Sequence, residues 1–209
     1  MSRIILASGS PRRKELLEQI GIEFEICPAN GEEVITKTVP HDVVMELSRQ
    51  KALEVAGMVV SYGDSHADIT TPTDIMIIGA DTVVAYDDMI LGKPKDEEDA
   101  KKTLRMLSGN AHSVYTGVSV VFISKDGRVG EHTFYDRTKV KMYEMTDAEI
   151  ERYVATNEPM DKAGSYGIQG KCAIHIEKIE GDYNNVVGLP VSKLYQELLG
   201  RGGSCRYER

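Results

Sequence analysis

The sequence predicts a fold of the α/β or α+β class, with a mixed sheet at its centre. Segments typical of strands alternate along the chain with segments typical of helices, and no linker, internal repeat or low-complexity tract interrupts the 209 residues. Apolar residues make up 41% and charged residues 28%, an ordinary balance for a globular protein that is long enough to bury a core. This length fits one large domain or one domain with two lobes.

The first 74 residues predict strand, helix, strand, helix and loop, in that order: residues 3–7, 11–20, 22–27, 40–57 and 59–74. The first helix has Ser10 at its N-cap position, Pro11 in its first turn and Gly21 at its end, which are the residues favoured at those places. Pro40 opens the second helix for the same reason. The segment 59–74 is polar and rich in turn formers, which predicts a loop.

The rest of the chain predicts strands over 75–86, 113–124, 129–143, 172–179 and 183–187, and helices over 97–107, 147–156 and 190–199. After the first of these strands, Asp87 and Asp88 indicate a hairpin turn. Asp96 can cap the helix that follows, and Thr146 with Glu149 forms a capping box for the next one. Each of these signals is local, so each predicts where an element begins.

Composition and charge narrow the classes of protein. The net charge of −8 argues against a nucleic-acid-binding surface, and no apolar run approaches the roughly 20 residues that span a bilayer. The apolar stretch at the N-terminus is too short for a signal peptide. Cys27, Cys172 and Cys205 have no CxxC spacing, which argues against a disulfide framework or a zinc site. We therefore expect a cytoplasmic protein with neither a nucleic-acid partner nor a membrane partner.

The stretch "ASGSPRRKELL" at residues 7–17 predicts an anion site at the start of a helix. Unsatisfied N–H groups and the positive end of the dipole meet there, and Ser8 and Ser10 add hydroxyl groups. Arg12 and Arg13 supply the forked donors that suit phosphate. The chain lacks GxxxxGK[ST], so this is not a P-loop. The alternative is a capped helix with two solvated arginines, although the dipole disfavours cations at that end.

Two acidic sites lie within or after predicted strands. Asp81 lies at a polar break in the predicted strand 75–86, after an apolar stretch and small residues, where a carboxylate can bind Mg²⁺ or orient water, or can simply cap its own turn. Glu32 and Glu33 follow an earlier strand, and adjacent acids usually lie in a solvated loop. A hard-metal site requires that this pair fold beside Asp81 and share the ion with phosphate oxygens.

Three lysines and one glutamine are further candidates. Lys51 lies on the apolar stripe of the second helix, either as a snorkelling side chain or as a cation that reaches into a site. Lys93 precedes a proline that restricts it to an extended conformation, or it lies in a plain turn. Lys162 and Gln169 belong to the glycine-containing segment 157–170, which is either a functional loop that meets phosphate and a base edge or an ordinary surface loop.

Together these stretches resemble the Maf family of nucleotide pyrophosphatases. The resemblance covers nearly the whole chain and rests on "ASGSPRRKELL", "GADTVV", "GKPKD", "EPMDKAGSYGIQG" and "GDYNNVVGLP" in that order. It implies a two-lobed α/β fold with a mixed sheet, similar to inosine triphosphate pyrophosphatases, and a cleft between the lobes. It also implies a single domain over residues 1–200 and a homodimer. The segment 201–209, which the resemblance does not match, is expected to be a flexible tail.

The resemblance further implies divalent-metal-dependent hydrolysis of nucleoside triphosphates to monophosphate and pyrophosphate, with Mg²⁺ or Mn²⁺ as the metal. Its motifs are similar to the branch of the family that acts on dTTP and UTP, with modified pyrimidine nucleotides as a further substrate class. The alternative is a nucleotide-binding regulator without catalysis, since the family is also linked to inhibition of septum formation.

Residue by residue, the resemblance assigns Ser8, Arg12 and Arg13 to the triphosphate grip. Glu33 and Asp81 match the metal-binding and water-activating carboxylates, with Asp81 as the proton acceptor. The phosphate-facing lysines of the family correspond to Lys51, Lys93 and Lys162, of which the first two are expected to be catalytic. Base selection is assigned to Arg12, Thr82 and Gln169.

Overall fold

A computed structural model of the chain describes residues 3–63 and 74–199. Within this part it has six α-helices: α1 Pro11–Gln19, α2 Pro40–Gly63, α3 Glu97–Leu107, α4 Asp147–Val154, α5 Tyr183–Val187 and α6 Val191–Leu199. Its strands are β1 Arg3–Leu6, β2 Glu25–Ile26, β3 Ile75–Tyr86, β4 Met89–Leu91, β5 Ala111–Ile123, β6 Val129–Met142 and β7 Ile176–Glu180. The predicted tail at 201–209, Cys205, and residues 64–73 of the predicted loop lie outside the described residues.

The strands form one mixed sheet, which confirms the predicted fold class. Its neighbours run in the order β2-β1-β3-β5-β6-β7, with β4 paired to β3. Strand β1 is parallel to both β2 and β3, with Ile5 opposite Glu25 on one side and Ile77 on the other. Strand β4 is antiparallel to β3, and β7 is antiparallel to β6. Within the described residues, no helix is long and apolar enough to cross a membrane.

The chain divides into two compact units, and the first comprises the residues up to Asp81, Gly117–Tyr135 and the residues from Val191 onward. Its core contains the following buried residues: Ile5, Ala7, Ala52, Val55, Ala56, Ile77 and Val121. Helix α2 crosses the sheet where two strands carry glycine. A Cβ added to Gly79 would lie 2.8 Å from the Ala52 nitrogen, and one added to Gly117 would lie 2.7 Å from the Met45 nitrogen. Only glycine permits this close approach of helix and strand backbones.

The second unit comprises Thr82–Thr116 and Asp136–Pro190. Its core is built largely from α3, α4 and the strands beneath them, with buried residues that include Leu104, Leu107, Val140, Met142, Ile150 and Tyr153. Both helices begin as predicted. The Asp96 side chain accepts a hydrogen bond from the Asp99 N–H at 2.8 Å, and Thr146 forms the capping box with Glu149.

Four element predictions are wrong in whole or in part. Of the strand predicted over 172–179, only the residues from Ile176 belong to β7, because Lys171–His175 forms a 3₁₀-helix in which the Ala173 N–H donates to the Gly170 carbonyl at 3.0 Å. Helix α2 continues to Gly63, so that residues 59–63 are helical and not part of a loop, because Gly57 is tolerated at an exposed position inside the helix. Residues 183–187 form the short helix α5 instead of a strand, since the Asp182 side chain caps it by accepting from the Asn184 N–H at 2.9 Å. The strand predicted over 22–27 shrinks to Glu25–Ile26.

Candidate active site

The first site element is the turn between β1 and α1, in the first unit. Arg13 Nη1 donates to Ser8 Oγ at 3.0 Å, and the Ser10 N–H donates to the same oxygen at 3.3 Å. The Ser8 hydroxyl hydrogen takes part in neither bond. Ser10 occupies the N-cap position, but its side chain makes no capping hydrogen bond to the helix. The turn therefore presents a serine hydroxyl, an oriented guanidinium and the N-terminus of α1 in one place, as an anion site requires.

The second site element is an ion-pair cluster that joins three segments of the first unit. Lys51 Nζ lies 2.5 Å from Asp81 Oδ1 and 2.9 Å from Glu33 Oε1. The side chains of Lys51 and Asp81 are 18% and 14% exposed, whereas that of Glu33 is 50% exposed. Lys51 is thus a cation that reaches a cluster of acids, and the alternative of a snorkelling side chain is excluded. Glu33 does fold beside Asp81, which was the condition for a shared metal site.

Packing of helix on strand explains how Lys51 reaches Asp81. Gly79 lies two residues before Asp81 on β3, and the absence of a side chain there allows α2 to approach at Ser48 and Ala52. This close packing places Lys51 of α2 within reach of Asp81 on β3. The sequence pattern "GAD" has a physical reason at this point, because a larger residue at Gly79 would push α2 away from β3.

Electrostatics link the two elements of the first unit. Burial lowers the pKa of the Arg13 guanidinium, the neighbouring charge of Arg12 lowers it further, and the negative charges of Asp81 and Glu33 oppose that shift. The carboxylates are therefore near enough to act on Arg13 through space. Positive and negative groups alternate in this cluster, as expected where a polyanion and a metal cation bind side by side.

A divalent metal ion fits the chemistry of this cluster. Glu33 and Asp81 offer hard carboxylate oxygens, the donor type that Mg²⁺ and Mn²⁺ prefer, and the two already converge on one cation. Residues 3–63 and 74–199 contain no group of three or more His, Cys, Asp or Glu side chains arranged to hold a metal. Two protein carboxylates suit an ion whose other ligands are water and substrate phosphate.

Thr82, the first residue of the second unit, belongs to a chain of hydroxyl groups. Its Oγ1 lies 2.9 Å from Thr116 Oγ1, and Thr116 in turn donates to the Asn185 carbonyl at 2.9 Å. Asn185 is fully buried, and its amide nitrogen donates to the Val114 carbonyl at 3.1 Å. Asn185 of the motif "GDYNNVVG" is thus linked through Thr116 to Thr82, one of the residues expected to select the base.

The segments that carry Lys93 and Lys162 are tied together within the second unit. The Gly164 N–H donates to the Gly92 carbonyl at 3.1 Å, and Gly164 has a φ of 70°, a conformation that favours glycine. Lys162 Nζ binds Asp161 Oδ1 at 2.6 Å and the Glu158 carbonyl at 2.8 Å, while Lys93 is exposed. Gln169 is also exposed, on the segment that contains Lys162.

Glu158, which was not among the predicted site residues, organises that segment. Its carboxylate accepts from the Tyr153 hydroxyl at 2.9 Å and from the Lys171 N–H at 3.0 Å. Gly170 packs directly against the carboxylate, where any Cβ would collide with it. Because burial raises the pKa of the Tyr153 hydroxyl, Tyr153 remains a donor to Glu158. The glycine at 170, close to an acid that faces the same segment, was the available signal.

Comparisons with known proteins give matches that cover nearly the whole chain. Residues 3–200 match the family described as Maf-like protein. A protein of Agathobacter rectalis named dTTP/UTP pyrophosphatase is 69% identical over 95% of this chain and 97% of its own length. One of Lachnoclostridium phytofermentans with the same name is 48% identical over 95% and 94%.

A solved structure, that of a HAM1 protein from Coxiella burnetii, aligns with 96% of this chain and with 100% of its own chain. The sequence identity is 14% and the TM-score is 0.44. The match to the family model spans every helix and strand described above, and these two relatives align with 95% of the chain. This chain belongs to the Maf-like family.

Proposed function

We propose that this protein is a nucleoside triphosphate pyrophosphatase that hydrolyses dTTP and UTP to the nucleoside monophosphate and pyrophosphate. The observation that carries the proposal is the contact of Lys51 with both Glu33 and Asp81, beside an anion site at Ser8 and Arg13. Support comes from relatives at 69% and 48% identity that are named dTTP/UTP pyrophosphatase. Modified pyrimidine nucleotides are a further substrate class.

The anion site binds the triphosphate. The Ser8 hydroxyl, the forked Arg13 side chain and the N–H groups of the first turn of α1 are all donors, and phosphate oxygens are acceptors. The Ser8 bond aims Arg13, so little side-chain freedom is lost when the substrate binds. Arg12, Lys93 and Lys162 are further phosphate-binding residues in this proposal.

Asp81 activates the attacking water. The water oxygen forms a bond to the α-phosphorus, the bond from that phosphorus to the oxygen bridging to the β-phosphate breaks, and the water proton passes to Asp81. Lys51 contacts Asp81 through Oδ1, so Oδ2 lies outside that ion pair. Arginine and lysine bind the oxygens on which charge grows in the leaving pyrophosphate. No covalent intermediate is required.

Glu33 and Asp81 would hold the divalent metal, which when bound neutralises phosphate charge and polarises the phosphoryl group. Thr82, Gln169 and Arg12 would select the base, because an amide and a hydroxyl each offer both a donor and an acceptor to a pyrimidine edge. We further propose that the enzyme acts as a cytoplasmic homodimer that removes nucleotides from the pool.

The decisive experiment measures pyrophosphate release from a panel of canonical and modified triphosphates, with Mg²⁺ or Mn²⁺ present. We expect dTTP and UTP to be the best canonical substrates. Asp81→Asn should keep the fold and abolish turnover, whereas the matched control Asp126→Asn, in an exposed turn, should turn over like the wild type. Near-normal release by Asp81→Asn contradicts the mechanism. Binding of dTTP without release by the wild type would favour the regulator of septum formation instead.

A separate assay tests base selection. Gln169→Ala should raise KM for dTTP and UTP more than for purine triphosphates, because only the base contact is lost. Unchanged KM values and an unchanged ranking of substrates would remove Gln169 from that role.

A further inference from the structure

The segment that carries Glu33 is attached to the protein by side chains of α2. Residues 31–39 are exposed throughout, and the Val34 and Ile35 side chains remain 56% exposed. Apolar burial therefore contributes little to holding this stretch in place. Since a catalytic carboxylate must be held to within a fraction of an ångström, another interaction has to fix the segment.

Three side chains on one face of α2 supply that interaction. Glu46, Gln50 and Glu54 are spaced four residues apart, so they point the same way along the helix. Glu54 accepts from the backbone N–H of Asn30 at 2.9 Å. At the other end, Glu46 accepts from the Thr36 N–H at 2.9 Å.

Gln50 provides the central contact. The Val34 N–H donates to Gln50 Oε1 at 3.0 Å, and Gln50 Nε2 donates to the Val34 carbonyl at 2.6 Å. The amide thus satisfies both backbone groups of one residue, as a neighbouring strand would. Only an amide side chain carries a donor and an acceptor in this geometry, so neither glutamate of the row can replace it.

The residues next to Val34 and Gln50 in the sequence are both part of the candidate active site. Val34 directly follows Glu33, and Lys51 directly follows Gln50. Gln50 therefore holds the backbone beside Glu33, while Lys51 holds its carboxylate at 2.9 Å. We propose that Gln50 is a positioning residue that fixes Glu33 for catalysis, an inference that rests on the proposed function for its kinetic part.

The first test compares Gln50→Met with Arg49→Met. Methionine keeps the length of glutamine and its helix propensity but removes both hydrogen bonds. Arg49 is its neighbour on α2 and pairs with the exposed Glu131, away from the segment. We expect Gln50→Met to lower kcat for dTTP by about 10- to 100-fold with a smaller change in KM, the usual size of a lost orienting contact. Arg49→Met should stay within twofold of the wild type.

A double-mutant cycle separates positioning from general destabilisation. If Gln50 acts through Glu33, then Gln50→Met should cause no further loss of kcat in a Glu33→Gln background. An equal loss in both backgrounds would overturn the proposal. So would a kcat of Gln50→Met that stays within twofold of the wild type.

Amide hydrogen exchange at Val34, followed by NMR without substrate, tests the contact independently of activity. Exchange should be at least about tenfold faster in Gln50→Met than in the wild type, and unchanged in Arg49→Met. Faster exchange in a protein that hydrolyses no triphosphate would overturn the proposed function and the kinetic part of this inference but leave the structural contact intact. Unchanged exchange at Val34 would overturn the contact itself.

Discussion

Lys51 Nζ lies 2.5 Å from Asp81 Oδ1, in a contact that joins helix α2 to strand β3 and is mostly shielded from solvent. The same ammonium group lies 2.9 Å from Glu33 Oε1. One cation therefore neutralises two acids that would otherwise repel each other. The arrangement explains why a lysine lies on the apolar stripe of α2.

Lys51→Met tests that relationship. The two carboxylates would lose their common partner, and we expect the free energy of unfolding to fall by about 1.5–3 kcal/mol, the range for a hydrogen bond to a charged group. The kcat for dTTP should fall by about two orders of magnitude, because Asp81 is no longer oriented. Denaturant unfolding and steady-state kinetics measure the two effects. Lys101→Met removes an exposed pair with Glu98 and serves as the control, with both values close to wild type.

Arg13→Lys tests whether the fork of the guanidinium matters in the anion site. Lysine keeps the charge but cannot bind Ser8 and phosphate in one plane. We expect affinity for pyrophosphate, measured by calorimetry, to fall by about 10- to 100-fold, equivalent to the 1.5–3 kcal/mol of a charged hydrogen bond. Arg128→Lys, at an exposed pair with Asp126, should bind like the wild type. Equal affinities for wild type and Arg13→Lys would mean that charge alone suffices.

Gly117→Ala tests the close approach of α2 to the sheet. The added methyl group would meet the backbone at Val44 and Met45, which cannot move aside without displacing the helix. We expect a loss of at least about 1–3 kcal/mol in the free energy of unfolding, the usual cost of overpacking. Gly130→Ala, also on a strand but with open space around it, is the matched control and should change stability little. Similar urea midpoints for the two variants would contradict this packing.

The buried His112 predicts how stability depends on pH. Its Nε2 lies 2.7 Å from the Tyr166 hydroxyl, and burial lowers its pKa from 6.5 to about 4. The unfolded chain therefore binds a proton between pH 6.5 and 4 that the native protein excludes. Protonation of His112 should therefore not reduce the free energy of unfolding above pH 6.5. Between pH 6.5 and 4 it should lower that free energy progressively, by about 3 kcal/mol in total.

His112→Phe removes the titrating ring nitrogens and keeps an aromatic ring in place. Urea unfolding at several pH values should show a flatter slope for this variant between pH 4 and 6.5. His41→Phe, which keeps the stacking on Tyr135 at a more exposed position, should retain the slope of the wild type. Identical slopes in all three proteins would show that His112 does not titrate in this way.

Elements that carry their own end signals are predicted well from the sequence. Helix α3 spans 97–107 as expected because Asp96 caps it, and α4 begins at its capping box. The errors fall where local preference is ambiguous. Residues 59–63 include Ser61 and Gly63, which favour a loop, yet they continue a long helix. Residues 183–187 contain adjacent valines, which favour a strand, yet they form a helix that Asp182 caps.

Of the ten predicted site residues, some are found in contact with one another and others are only placed in the same segment. Ser8, Arg13, Glu33, Lys51 and Asp81 are brought together in the first unit, and Thr82 joins a hydroxyl network in the second. The catalytic and binding roles of all ten residues remain predictions. Gln50 could not be recognised, because it binds backbone groups of a segment whose position no sequence pattern specifies, whereas Gly170 was an available signal for Glu158.

The sequence was sufficient for the chemistry of the side chains, the helix starts and the family, because those depend on residue type and on neighbours a few positions away. It was insufficient for the contact of Lys51 with Glu33 and Asp81, which come from three separate segments. That contact depends on α2 packing against β3 at Gly79, and on the row of side chains that holds the exposed stretch of Glu33 to the same helix. Both are long-range interactions, and only the folded chain brings their partners within hydrogen-bonding distance.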